Sequence, residues 1–408
     1  MEFNYECVEC GKTFEGNKSL YVCDDCSEHQ KPGGETRGVL KIKYNTKNKK
    51  TVENIFKDKS GKRNIYRYLD ILPIENPIHI SKLDVGNSAI YEFGSQELYI
   101  FDDTRNPSCS YKDRASILVA AKALDFKKHD IIAASTGNAA SSMACISASI
   151  SKLRCILCVP EKAPQAKITQ MQMFGATVVK VKGSYDDAFE LSLKLSEAFE
   201  YYNRNTAFNP FTIEGKKTAA LEMFDHFGRN LPDYIFVSVG DGCIISGIYK
   251  GFEDLKEFGL IEKIPVIVSC QAQGSSVINK AVKSGKIVQD NNASTVADSI
   301  LVCAPRNSVM AVKYIREYNG KTVDVTDCEI LNSIQKLASS TGVFAEPAGA
   351  CAYAGFLKFK SEGKLKDKRS LCVITGNGLK DIISAQKTTN IIDSIRPTVM
   401  EYEKNFKI

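Results

Sequence analysis

Short apolar runs alternate with amphipathic ones along most of this chain, and that alternation constrains the fold more than any other feature. Residues 98–101, 131–134, 155–159, 177–181, 234–239, 266–272 and 370–374 are β-branched or apolar and read as strands. Between them, 116–124, 139–149, 167–174, 185–199, 216–227 and 247–258 carry helical periodicity. A strand-helix repeat at this spacing calls for parallel sheets covered by helices on both faces. The expected class is α/β, with two such units and a cleft between them. The 408 residues are enough for two or three domains, and 43% hydrophobic with 25% charged residues is ordinary for a globular protein. Beyond Asp381 the pattern weakens to a closing helix and an extended end.

Four cysteines lead the chain as Cys7-Val8-Glu9-Cys10 and Cys23-Asp24-Asp25-Cys26, with twelve residues between the pairs. Two such knuckles can close a tetrahedral zinc site, and four protein ligands would make that metal structural, not catalytic. A zinc-ribbon-like module is therefore expected over residues 1–42. The other ten cysteines lie singly, which fits free thiols in a reducing cytoplasm. The start Met1-Glu2-Phe3-Asn4-Tyr5 lacks a signal-peptide layout, and the most apolar stretch, 131–150, is too interrupted by polar residues to span a membrane. Net charge is +6, with much of the excess between Lys41 and Arg67, read as a solvated basic linker. Few aromatics interleave there, so nucleic acid is not the expected partner, whereas small anions are favoured.

Four turn segments carry chemistry. The first, Asn106 to Arg114, sets Lys112 between hydroxyl residues and Asp113-Arg114, just before a helix. A lysine there becomes a nucleophile when it is desolvated or sits beside another cation. The second, Ser135-Thr136-Gly137-Asn138-Ala139, joins a strand to a helix and suits a carboxylate, with Asn138 offering a side-chain amide. The third, Gly240-Asp241-Gly242-Cys243-Ile244, also joins strand to helix, and its glycines and helix dipole suit a phosphate. It is neither a P-loop nor a dinucleotide fingerprint. The fourth, Thr375 to Asp381, places a hydroxyl at a strand end. Each segment alone is equally readable as a plain capped turn.

Together these segments resemble the fold-type II pyridoxal-phosphate enzymes, and the threonine synthase branch in particular. Ser110-Tyr111-Lys112-Asp113-Arg114 matches that family's Ser-Phe-Lys-Asp-Arg, and Ser135-Thr136-Gly137-Asn138 matches its Ser-Thr-Gly-Asn loop. Thr375-Gly376-Asn377-Gly378-Leu379-Lys380-Asp381 matches its closing segment, with Asn377 where the family has histidine. Asn209-Pro210 and Glu214 to Thr218 echo a further stretch. The resemblance implies a fold like that of the tryptophan synthase β subunit: two parallel-sheet, three-layer domains behind the N-terminal zinc ribbon. It implies a large cofactor-binding domain over 43–122 and 213–408 and a small α/β domain over 123–212. It also implies a cytoplasmic lyase of threonine biosynthesis, releasing phosphate from O-phosphohomoserine and adding water, with pyridoxal 5'-phosphate as cofactor and Zn2+ as structural metal.

The resemblance assigns roles as well. Lys112 would hold the cofactor and shuttle protons, Asn138 would donate to its phenolic oxygen, and Gly240 to Gly247, including Asp241, Gly242, Cys243 and Ile244, would cradle its phosphate. Thr375 would face the ring nitrogen, while Ser135, Thr136 and Gly137 would hold the substrate carboxylate. Ala139, Ala207 and Thr212 stand where the family places ligands for the substrate phosphate, so Arg204, Lys216 or Lys217 would have to replace them. The alternative reading is a β-elimination or β-replacement on a smaller amino acid such as threonine, serine, phosphoserine or diaminopropionate. A third is a zinc-ribbon binding protein whose body only holds cofactor. Apolar helix faces suggest a homodimer.

Overall fold

The structure, a computed structural model, describes residues 1–31, 33–45, 49–57, 61–94, 97–135, 137–390 and 392–406. Its strands form three sheets. The first is antiparallel: β1 (Phe3–Cys7) lies between β2 (Thr13–Glu15) and β3 (Leu40–Tyr44). Period-two burial turns Phe3, Tyr5 and Cys7 inward.

The second sheet contains β4 (Ala89–Phe93), β5 (Leu98–Asp102), β10 (Tyr234–Ser238), β11 (Val266–Ala272), β12 (Lys321–Val325) and β13 (Ser370–Ile374). Its order is β12-β11-β10-β13-β5-β4, parallel except for the antiparallel edge strand β4. The third sheet is parallel, with β6 (Asp130–Ala134), β7 (Arg154–Pro160), β8 (Thr177–Val181) and β9 (Tyr202–Asn203) in the order β8-β7-β6-β9. Every residue of β5 and β13 is buried, as helices on both faces require. The architecture is the expected α/β one, and the seven strands read from sequence fall within one residue of seven observed strands. Among the described residues, no helix is long and apolar enough to cross a membrane.

The stretch from Lys41 to Arg67 is not a solvated linker. Lys41 and Lys43 sit on β3, where they meet Glu6 at 3.3 and 3.8 Å, and Glu253 and Glu257 at 3.5 and 3.1 Å respectively. A helix at Lys49–Lys57 then buries Val52 and Phe56, four residues apart on one face. A 3-10 helix at Ile65–Ile71 buries Ile65, Tyr68 and Ile71. Lys41, Lys43, Lys49, Lys50 and Lys57 thus lie on folded elements, and composition alone hid the apolar stripe of those elements. The tail also departs from expectation, since a second helix, Val399–Phe406, follows the one at Ile382–Gln386.

Candidate active site

Parallel sheets place ligands at the carboxyl ends of their strands. A cavity of about 550 Å³ lies there, lined by Ala134 and Ser135 after β6, Pro160 of β7, Ser238 to Ile244 around the end of β10, and Thr375 after β13. Lys112, Asn138, Lys216 and Glu346 also line it.

Lys112 opens the Lys112–Asp125 helix, and its neighbours explain why it points where it does. The Asp113 carboxylate folds back to accept from the Ser108 N–H at 2.6 Å and the Ser108 hydroxyl at 2.5 Å. Arg114 is buried and pairs with Asp103 at 2.8 Å and Glu222 at 2.7 Å. The Tyr111 N–H donates to the Thr375 carbonyl at 2.9 Å, and its hydroxyl donates to the Lys216 carbonyl at 2.7 Å. The Asp-Arg pair is thus a clamp that fixes the helix start, leaving the lysine amine to the cavity. Burial lowers the Lys112 pKa, and the nearby Arg204 adds to that effect.

Ser135, Gly137 and Asn138 line the same cavity as Lys112. The Ser135 hydroxyl accepts from the Gly137 N–H at 3.1 Å. Thr136, the other residue expected here for the substrate carboxylate, lies outside the described residues. Asn138 is buried and opens its helix. Its Nδ2 donates to Glu346 Oε1 at 2.6 Å and to Ser299 at 3.3 Å, while its Oδ1 has no partner.

The glycine turn after β10 is packed so closely against its neighbours that side chains would not fit. Gly242 has φ +88, and a Cβ there would lie 2.7 Å from the Ala311 Cβ. A Cβ on Gly240 would lie 2.8 Å from the Ile300 Cα. The Cys243–Glu257 helix starts at this turn, so its first N–H groups lack helical acceptors and face the cavity where Cys243 and Ile244 line it. Asp241 also lines the cavity, and its Oδ1 accepts from the Arg306 N–H at 3.0 Å. Thr375 is buried at the end of β13 and lines the cavity.

Glu346 was missed from sequence. It sits before Pro347, the first residue of the Pro347–Ser361 helix, and reads as a simple cap. In three dimensions it is a buried carboxyl with an unpartnered Oε2, and burial raises its pKa. A Cβ on Gly376 would lie 2.2 Å from its Oε1, which explains that glycine.

The cations proposed to replace the missing phosphate ligands separate cleanly. Thr212 is buried and donates to the Asn209 carbonyl at 2.8 Å, away from the cavity. Lys217 is paired with Glu214 at 2.7 Å and Asp254 at 2.8 Å. Lys216 lines the cavity, and burial, reinforced by Arg204 and Lys112, pushes its pKa down to about 7. Arg204 is buried beside it with an unpartnered Nε, and burial lowers its pKa to about 10.

A lysine facing a glycine cradle at a helix start, between two parallel sheets, matches one family in sequence. The sequence model of the family described as "Pyridoxal-phosphate dependent enzyme" matches residues 85–376. The chain belongs to that family. Among this family's curated members, it is 34% identical over 388 residues to the threonine synthase of Methanocaldococcus jannaschii, covering 92% of both chains. It is also 34% identical over 345 residues to the threonine synthase of Halalkalibacterium halodurans, covering 82% of this chain and 94% of that one. Similar solved structures are those of the processed form of threonine deaminase isoform 2 from Solanum lycopersicum and serine racemase from Dictyostelium discoideum. The former has a TM-score of 0.67 at 18% identity, over 91% of this chain and 96% of that chain. The latter has 0.61 at 23% identity, over 71% and 92%. These neighbours establish the fold-type II architecture.

Away from the cavity, the Sγ atoms of Cys7, Cys10, Cys23 and Cys26 all lie within 4.8 Å of one another. Cys7–Cys26 and Cys10–Cys23 are each 3.8 Å apart, far longer than a disulfide. At a Zn–S distance of about 2.3 Å the edge of a regular tetrahedron is about 3.8 Å. The four thiols are therefore already spaced as ligands.

Proposed function

We propose that this chain is a threonine synthase-type lyase: it binds pyridoxal 5'-phosphate through Lys112 and converts O-phosphohomoserine and water to threonine and phosphate. The observation that carries this reading is full-length similarity to named threonine synthases, combined with a cavity that brings Lys112, the glycine cradle, Asn138 and Thr375 together. The site fits the cofactor, since the open helix start and the cavity-facing lysine are what such a group would occupy.

When bound, the cofactor supplies an electron sink for negative charge at the substrate α-carbon. The chain's own residues do the rest. The Lys112 amine, its pKa lowered by burial, takes the α-proton and then a β-proton as phosphate leaves the γ-carbon; it returns protons to the γ- and α-carbons, while the hydroxyl of water adds at the β-carbon. Ser135, Thr136 and Gly137 hold the substrate carboxylate at a helix start. Gly240, Asp241, Gly242, Cys243 and Ile244 form the cofactor-phosphate cradle. Thr375 offers the ring nitrogen a neutral hydroxyl, so the chain supplies no carboxylate to hold a proton there. In this reading Glu346 aims the Asn138 amide, and Zn2+ on the four ribbon thiolates is structural.

One observation favours a second reading. Ala139, Ala207 and Thr212 present no phosphate ligand, which suits β-elimination or β-replacement on a smaller amino acid. Incubation of the purified holoenzyme with O-phosphohomoserine, threonine, serine, phosphoserine and diaminopropionate decides between them. Threonine and phosphate released one-to-one from O-phosphohomoserine support the first reading; ammonia and a 2-oxo acid, with that ester inert, contradict it. Metal analysis should find one zinc per chain, and a metal-free, fully folded preparation would refute the ribbon assignment.

A further inference from the structure

Lys216 is 1% exposed, and its ammonium donates to the Thr212 carbonyl at 3.3 Å. It stands beside the Cys243–Glu257 helix, close enough that a Cβ on Gly247 would lie 2.4 Å from its own Cβ. Arg204, also 1% exposed, donates to the hydroxyls of Thr206 at 3.3 Å and Ser116 at 3.4 Å. Among the described residues, neither cation has a carboxylate within ion-pair distance. The acids nearest in sequence to Lys216 are already taken, because Glu214 pairs with Lys217 and Lys250, and Glu222 pairs with Arg114. The Asp241 carboxylate acts on Lys216 from beyond ion-pair distance, and its Oδ1 is held by the Arg306 N–H. Two unpaired buried cations beside an open helix start form a site with excess positive charge and no water to screen it.

We propose that Lys216, backed by Arg204, neutralises a phosphate dianion held in the cavity beside the first turn of the Cys243–Glu257 helix. A carboxylate, with one charge, would leave the pair unbalanced; a phosphate supplies two charges and the acceptor oxygens to meet Lys216 and the helix N–H groups, with Arg204 behind them. The phosphate belongs either to the cofactor or to the substrate. The second case rests on the threonine synthase reading and fills the gap left by Ala207 and Thr212; the first does not depend on it.

The test uses Lys216→Gln in the full chain, with two arms. In the cofactor arm, apoprotein is titrated with pyridoxal 5'-phosphate; in the substrate arm, cofactor-saturated enzyme is assayed for the KM of O-phosphohomoserine and for inhibition by inorganic phosphate. A tenfold or greater loss of cofactor affinity assigns the seat to the cofactor. A tenfold rise in KM and in the phosphate inhibition constant, with cofactor affinity unchanged, assigns it to the substrate. Changes below twofold in both arms overturn the proposal. If the variant does not fold, wild-type apoprotein suffices: inorganic phosphate should raise its melting temperature more than chloride at equal ionic strength, and equal effects would overturn the proposal. Inert O-phosphohomoserine with wild-type enzyme would refute the threonine synthase reading while leaving the cofactor and inorganic-phosphate measurements intact.

Discussion

Lys216 and Lys217 are neighbours in the chain, yet they belong to opposite kinds of charge cluster. Lys217 lies in a buried group where two lysines, Lys217 and Lys250, face two acids, Glu214 and Asp254, and the Tyr44 hydroxyl accepts from Lys217 at 2.8 Å. Lys216 lies in a group where Lys112 and Arg204 add positive charge and, among the described residues, the carboxylates of Asp241, Glu346 and Asp113 oppose it only from beyond ion-pair distance. The first cluster is balanced and joins β3, the last strand of the ribbon sheet, to the helices of the main body. The second is unbalanced. Burying unpaired charge costs stability, and fold-holding residues are paired to avoid it. The imbalance therefore marks the place where a ligand supplies the missing charge.

The largest expected effect breaks the unbalanced cluster at its reactive member. Lys112→Ala should lower turnover by about a thousandfold or more and remove the visible absorption of bound cofactor. Activity within tenfold of wild type would mean that another group does the chemistry. Next in size is the balanced cluster. Lys217→Met leaves two buried acids to share the single cation Lys250 and should cost about 3–5 kcal/mol in urea unfolding, with cofactor affinity unchanged. Lys216→Met removes a charge that burial already disfavours, so its cost should be below about 1 kcal/mol. Equal destabilisation by the two substitutions would erase the distinction between the clusters.

Two smaller effects sharpen it. Glu346→Gln keeps a partner for the Asn138 amide but loses a charge-assisted bond, which should weaken cofactor binding by about tenfold, readable from absorbance titration. The pH dependence is smaller still. The Lys216 pKa falls from 10.5 to about 7 on folding, so between those values the unfolded chain binds the extra proton. Its contribution to stability accordingly rises with pH from about 7 to about 10, with Arg204, Lys112, Asp241 and Cys243 as the facing groups. Phosphate binding favours the protonated amine, so phosphate should stabilise apoprotein more at pH 6.5 than at pH 9.5, and Lys216→Gln should flatten that difference.

Much of the framework was legible because it rests on periodicity. Buried parallel strands are continuous apolar runs, and the turns after β5, β6, β10 and β13 carry recognisable residues. β12 and the helices at Ser308–Glu317, Asp327–Thr341 and Pro347–Ser361 went unread, since β12 is a half-exposed edge strand with a weak alternating pattern. Glu346 was invisible because its contact with Asn138 spans 208 positions and its local context is that of a cap. The opposite fates of Lys216 and Lys217 were equally hidden, because only packing decides which of two adjacent lysines meets acids. Asp113 and Arg114 show the reverse case: they were legible as part of a motif, but their role proved to be the burial that fixes the turn.

Two lysines with lowered pKa values line one cavity, and the account assigns the cofactor to Lys112 and an anion to Lys216. Borohydride reduction of the holoenzyme followed by peptide mass mapping tests that assignment directly. The account predicts the reduced cofactor on Lys112 alone; finding it on Lys216 would contradict it.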